Sequence, residues 1–318
     1  MCCEVITMEK IRQFIDKITR PSRRVLDFIP FALLLSLFMM LGGVLIFTRL
    51  LYAVGLKELI LWLRYDYTDV ADFMQAYADF IGIWIIVLLT VIIFKANRKM
   101  LKSFWYNHKG NTFKVYLIGL LLGFGANGFC ILMSVLMNDI KLSYYGIDLQ
   151  LVLSFFIAVM IQSGAEELID RFYLYQKLRR RYRSPLVAIL VNSIVFTLLH
   201  AANPGFGLVA ALQIFFVAII FSMLVYYYDG LWIAIAFHTA WNYCQSIVFG
   251  LPNSGIVSAY SIFRLEAASA TNGFFYNVNF GVEGSVGAVI VLIAIGIAIY
   301  ILNKGKPERT DLWKETEQ

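Results

Sequence analysis

Eight long apolar runs constrain this chain more than anything else in it. They cover residues 29–47, 80–94, 115–137, 149–164, 185–201, 206–228, 231–249 and 285–302. A helix needs about 20 apolar residues to cross a hydrocarbon core about 30 Å thick. Within that core every backbone N–H and C=O must be satisfied internally, which leaves helices or a closed barrel. The runs are continuous rather than alternating, and that selects helices. Composition agrees: 60% of residues are hydrophobic and 15% charged, against about 45–50% and about 25% in soluble domains. The expected fold class is all-α, a polytopic membrane protein of about eight transmembrane helices. The fourth run is expected to continue to about Arg180. There is no internal repeat, low-complexity tract or separate soluble domain.

Basic residues set the orientation. Six fall in residues 1–27, six in 95–114, six in 171–184 and four in 303–318, all on one side of an eight-span arrangement. The other side holds Arg49, Lys57, Arg64, Lys141 and Arg264. The positive-inside rule then places both termini in the cytoplasm. The net charge of +6 reads as an insertion and lipid-contact signal, not as a nucleic-acid patch. Val5, Met8, Ile11, Ile15 and Ile18 recur at helical spacing, as in an amphipathic helix lying on the membrane surface. No cleavable signal peptide is evident. Cys130 and Cys244 read as buried apolar residues, and no lipidation motif surrounds Cys2 and Cys3.

Against this background, a few polar residues stand where lipid penalises them. Glu166 and Glu167 lie in the run Ser163-Gly164-Ala165-Glu166-Glu167-Leu168-Ile169-Asp170-Arg171. A charged side chain at the centre of a span costs roughly 2.5–3.5 kcal/mol on insertion scales, so a functional site is the default reading. Glu167 and Arg171 are i,i+4 neighbours with the acid N-terminal, the favourable order. Arg171 can neutralise Glu167. Glu166 instead has the like-charged Asp170 at i+4, and is the glutamate suited to general-base work. His200 closes the fifth run, with Asn192 two turns earlier on the same polar face. His238 and Asn242 are i,i+4 in the seventh run and point the same way. The competing reading for each is ordinary: a structural ion pair near a helix end, or a packed histidine on a backbone carbonyl. Their concentration in three spans favours a site.

Depth brings some of them together. The basic turn around Arg183 separates the fourth and fifth runs, and short connections make antiparallel neighbours. Glu166, Glu167 and His200 each lie roughly 24–26 Å from that turn at about 1.5 Å per residue, so contact between them is expected. His238 lies only about 12 Å from its own turn at Asp229-Gly230, a poorer match. Tilt, or a fourth helix protruding into the cytoplasm, would reconcile the two.

Two chemistries are open to such a set. His200, His238 and Glu166 could hold a zinc ion with one position left for water, although the short His-Glu-x-x-His signature is absent. Alternatively a glutamate activates water without metal, while a histidine and an asparagine stabilise the oxyanion. Both amount to hydrolysis by activated water.

The motifs Glu-Glu-x-x-x-Arg at 166–171, Phe-x-x-x-His at 196–200 and His-x-x-x-Asn at 238–242 resemble those of the CPBP family. That family comprises the type II CAAX prenyl endopeptidases and bacterial Abi-type proteins. The resemblance covers about residues 150–250 and extends to Arg179-Arg180-Arg181 and Gly230-Leu231-Trp232-Ile233-Ala234. It implies that Glu166 is the water-activating base, that His200 helps hold the water, and that His238 and Asn242 form the oxyanion site. Glu167 and Arg171 are then structural. One departure is Phe172, where many relatives have Gly. The chain accordingly divides into a cytoplasmic amphipathic segment (1–27), N-terminal transmembrane helices (28–148), a CPBP-like catalytic core (149–250), and an outer loop, last helix and cytoplasmic tail (251–318).

The function expected from this is an intramembrane endopeptidase of a bacterial plasma membrane. Its partners are the lipid bilayer and a peptide or membrane-protein substrate. The alternatives are a non-catalytic interaction or immunity protein of the same family, and a proton-coupled transporter. The transporter lacks the support of an inverted repeat or paired broken helices. The loop over 251–283, with Tyr260, Phe263, Phe274, Phe275 and Tyr276, reads as an aromatic segment resting on headgroups. A lid over the site is the other reading.

Overall fold

The computed structural model describes residues 24–55, 68–107, 110–306 and 311–314, with Glu9, Gln13, Ile15, Asp16, Ile18, Thr19, Arg20 and Glu58 besides. Cys2, Cys3, Val5, Met8 and Ile11 lie outside the described residues. The fold is all-α and polytopic. In chain order its helices are α1 (Ile29–Ala53), α2 (Thr68–Ala78), α3 (Ile81–Ile93), α4 (Phe113–Leu136), α5 (Leu149–Glu167), α6 (Tyr175–Arg181), α7 (Pro185–Leu199), α8 (Leu208–Tyr228), α9 (Leu231–Tyr243) and α10 (Val286–Asn303). Local signals start several of them. Asp148 accepts from the amides of Gln150 and Leu151 at the head of α5, and Ser285 from Ala288 at α10. These side chains satisfy amides that have no partner within the helix.

Among the described residues, six helical units are long and apolar enough to cross a membrane: Ile29–Leu50, Asp69–Ile93, Phe113–Leu136, Leu149–Arg181, Leu208–Tyr228 and Val286–Asn303. The fifth and seventh expected spans differ from these. α7 has only 15 residues. α9 has 13 and is buried at every position from Ile233 to Tyr243. It is a core helix enclosed by others rather than a lipid-facing one.

Glycines put α9 in the centre. A Cβ on Gly119 would run into the carbonyl oxygen of Ile233, and one on Gly123 into that of Phe237. Two small residues four apart on α4 therefore let the two backbones approach closely, as small residues do at membrane helix interfaces. Gly43 of α1 and Gly82 of α3 meet in the same way.

The unit Leu149–Arg181 is 33 residues long, or about 50 Å at about 1.5 Å per residue. That exceeds a hydrocarbon core of about 30 Å, so the unit is longer than a straight span needs. At its α6 end several basic residues are turned inward, although Arg183 is exposed. Lys177, Arg179 and Arg180 are buried. Asp27 pairs with Lys177 at 3.2 Å and with Arg180 at 2.5 Å. Asp311 pairs with Arg20 at 2.5 Å and Arg179 at 3.2 Å. Part of the charge read as lipid contact is thus a protein-internal ion-pair network. Such groups leave water only when paired.

On the opposite side, β1 (Leu142–Tyr144) and β2 (Phe263–Leu265) form a short antiparallel ladder, Leu142 opposite Leu265. Most aromatics of the 251–283 loop turn inward. Tyr260 stacks on Phe155 at 6.0 Å, and Phe275, Tyr276 and Phe280 are buried. The headgroup-resting loop is therefore corrected: only Phe274 among its large aromatics is strongly exposed. These rings pack instead on the helices, Phe275 against Phe129 of α4 and Gly287 of α10, and Tyr260 against Phe155 of α5.

Candidate functional site

The two site-bearing helices share a local device. α5 passes into a π-helical segment, Leu168–Leu174, directly after Glu167. α9 passes into another, Cys244–Val248, two residues after Asn242. π segments are rare and tend to occur at functional sites. The first is braced by Asn192 of α7, whose amide donates to the Asp170 carbonyl and whose oxygen accepts from Ser222. Asn192 is thus a scaffold residue and does not bond His200.

His238 is the junction of the site. Its Nδ1 lies 3.0 Å from Glu167 Oε1, and its Nε2 lies 3.8 Å from Glu166 Oε2. An ionised carboxylate only accepts, so Nδ1 carries the proton and Nε2 faces Glu166. Glu167 Oε1 also accepts from Arg171 at 3.2 Å. Arg171, fully buried, further donates to the Ala218 carbonyl and lies 4.5 Å from the Phe196 ring. Depth matched His200 best to the glutamates; the direct contacts are those of His238, while His200 shares the cavity with Glu166. His200 instead donates from Nδ1 to the Phe196 carbonyl at 2.8 Å, leaving Nε2 as an acceptor.

Glu166 is held from its own helix. Gln162, one turn earlier, donates to Glu166 Oε1 at 2.5 Å. The Gln162 oxygen accepts from Asn242 at 3.3 Å and from Ser163 at 3.2 Å. Glu166 Oε2 is buried and accepts from no protein donor among the described residues. Glu166, His200, His238 and Asn242 all line one cavity of about 320 Å³. Glu167 and Arg171 stand behind its wall.

Several polar residues of this cavity were not singled out by sequence. Gln162 had a signal, an amide at i,i+4 from Glu166 in an apolar run. Asn253, Ser254 and Glu283 come from the outer loop, and only the fold brings them in. Glu283 accepts from Trp241 Nε1 at 3.0 Å and from both the amide and hydroxyl of Ser254, at 2.6 and 3.0 Å. Burial pushes its carboxyl above the usual range, and the bonds from Ser254 and Trp241 and the neighbouring His200 offset this only in part. Asn253 links the two ends of the site, donating to Asn242 Oδ1 at 3.1 Å and to Glu283 Oε1 at 3.5 Å. Phe172, the departure from the resembled pattern, is buried beside Phe104 at 5.5 Å between ring centroids and does not line the cavity.

A zinc site would need three or four donors at about 2.0–2.3 Å from one point. Among the described residues, no three His, Cys, Asp or Glu side chains are gathered closely enough to hold a metal ion. His200, His238 and Glu166 as arranged form no such group.

Residues 148–244 match the family described as type II CAAX prenyl endopeptidase Rce1-like. The match opens on the Asp148 cap of α5 and closes just past Asn242, and it is the CPBP family to which the three motifs point. No curated protein and no solved structure matches the chain.

Proposed function

From a Rce1-like segment set in a polytopic helical membrane protein, we propose an intramembrane endopeptidase that hydrolyses peptide bonds of membrane-associated proteins or peptides with a glutamate-activated water. The observation that carries this is the orphaned Oε2 of Glu166, buried in a cavity it shares with His200, His238 and Asn242. A carboxylate held at one oxygen by Gln162 has its other oxygen free to take a proton.

The residues divide the work as follows. Glu166 removes a proton from water while His200 Nε2 accepts the water's second hydrogen bond. The water oxygen attacks the scissile carbonyl carbon. The resulting oxyanion accepts hydrogen bonds from the Asn242 amide and from Nε2 of His238, which enters the step as an imidazolium, its second proton drawn beforehand from bulk water and kept throughout. The Asn242 bonds to Gln162 and Ser163, at 3.3 and 3.4 Å, are long enough to exchange for this one. Glu166 then returns the proton to the leaving amine. Glu167 keeps His238 oriented and supports its positive charge, as a carboxylate behind a catalytic histidine does. Donors set in place before charge develops are usually the largest contribution to such a rate.

The positive-inside rule would set the α6 end and both termini in the cytoplasm, here of a bacterial plasma membrane. The test is purified wild type against Glu166→Gln, with fluorogenic peptides and membrane proteome as substrates and metal content measured on the same samples. Cleavage that vanishes in the variant, proceeds after chelation and needs no stoichiometric metal is the expected result. Equal behaviour of the two proteins would remove catalysis and favour the interaction reading. Loss of activity on chelation, restored by zinc, would overturn the metal-free assignment.

A further inference from the structure

The cavity is built to receive positive charge. Its wall carries three carboxylates, Glu166, Asp170 and Glu283, and no Lys or Arg among the described residues. Arg171, behind the wall, pairs with Glu167 at 3.2 Å and reaches Asp170 at 3.8 Å, and His238 Nε2 lies 3.8 Å from Glu166, so Glu283 is the carboxylate of the three left for a cation from outside. Glu283 is bound only by neutral donors, from Trp241, Ser254 and Asn253. All of these bonds favour a carboxylate, and among the described residues no Lys or Arg pairs with it, the titratable His200 being its one charged neighbour.

A second observation points the same way independently. Three polar atoms of cavity-lining residues are buried without a hydrogen-bond partner among the described residues: Glu166 Oε2, Asp170 Oδ1 and Gln213 Oε1. All three are acceptors. Gln213 is 1% exposed, and its amide belongs to α8, well away in sequence from the diglutamate. An unmet buried acceptor costs free energy that a donor supplied by a ligand recovers. A surround that offers acceptors and negative charge fits a donor-rich cation. It opposes a carboxylate, because placing like charge there is repulsive.

Resting on the endopeptidase reading, we propose that the outer half of this cavity, with Glu283 and Gln213 as its specificity residues, selects substrates carrying a Lys or Arg side chain close to the scissile bond. It disfavours acidic residues and a free C-terminal carboxylate at that place. Asn253 sets the distance. It bridges Asn242, which would hold the oxyanion, to Glu283, so the cation sits one side chain away from the reacting carbonyl. Gln213 accepts an N–H of the same group or of the adjoining backbone.

The experiment uses a peptide series with Lys, norleucine or Glu at successive positions flanking the cleaved bond. Both kcat/KM on wild type and binding to the cleavage-silent Glu166→Gln protein are measured. At one flanking position Lys should exceed Glu by roughly tenfold or more, a difference within reach of one partly buried charge pair. In Glu283→Gln that ratio should fall toward one, and in Glu283→Asp it should persist. Norleucine or Glu matching Lys on wild type overturns the proposal, and this needs no variant to fold. A ratio unchanged in a folded Glu283→Gln overturns the role of Glu283. If nothing is cleaved, the endopeptidase reading fails, while the binding ratios still decide the charge selectivity.

Discussion

His238 Nδ1 stands 3.0 Å from Glu167 Oε1, and the same oxygen accepts from Arg171 at 3.2 Å. The second glutamate of the pair is therefore a positioning residue for the histidine, held in turn by a buried cation. Replacing Glu167 by Gln keeps the shape but removes the charge that fixes the tautomer. We expect kcat to fall roughly a hundredfold or more, by analogy with loss of the carboxylate behind a catalytic histidine, with KM little changed. Steady-state kinetics of the folded variant check this, and wild-type kcat in Glu167→Gln would refute it.

Arg171 carries a different expectation, concerning stability. It is fully buried, paired with Glu167 and lying against Phe196 and Phe221. Arg171→Met leaves Glu167 charged in a dry environment, which typically costs about 3–5 kcal/mol. Removing both partners should cost less than the sum of the single changes. A double-mutant cycle by denaturation in detergent measures the coupling, and simple additivity would show the pair to be energetically idle.

Gly123 tests whether close approach of α4 to α9 builds the site. Its Cβ would meet the Phe237 carbonyl, whereas Gly125 has open space around it. Gly123→Ala should destabilise by about 1–3 kcal/mol through overpacking and lower activity by shifting His238. Gly125→Ala, on the same helix, should do neither. Thermal unfolding and activity of the two variants side by side decide it. Equal effects would mean that only helix propensity is being read.

Docking of residues 311–314 should depend on acid. Burial by itself would push the Asp311 carboxyl up. Bonds from Arg20 and the Trp313 amide, with the charges of Arg179 and Arg20, outweigh it and hold the carboxyl below the usual range. A carboxyl lowered on docking contributes stability that is present above the free value of about 3.9 and is lost as pH falls through the docked value. Trp313 reports on this, being buried with Nε1 3.1 Å from Gln176. Its fluorescence, taken as the difference from Trp313→Phe, should stay constant from neutral pH to well above 3.9 and change only below it. Asp311→Asn should lose the step. A transition near pH 6 would show that another group controls docking.

Sequence by itself determined the class of fold and marked the groups proposed for the site. Continuous apolar runs leave a chain in lipid no choice but helices, because backbone polar groups there have no water to bond. The cost of charge in lipid marked Glu166, Glu167, His200, His238 and Asn242 before any geometry was known. The i,i+4 rule also separated the two glutamates, since that pairing is local to one helix. Tertiary structure decided which histidine meets them. Depth counted from the turns matched His200 best, but α9 sinks into the core on Gly119 and Gly123, and it is His238 that contacts Glu167. It also decided the cavity's charge. Glu283 and Asn253 lie far along the chain from Glu166 in a loop whose pattern resembles an interfacial one. Only burial of Tyr260, Phe275, Tyr276 and Phe280 folds that loop over the site. Contacts between distant segments are set by packing, which no local period records.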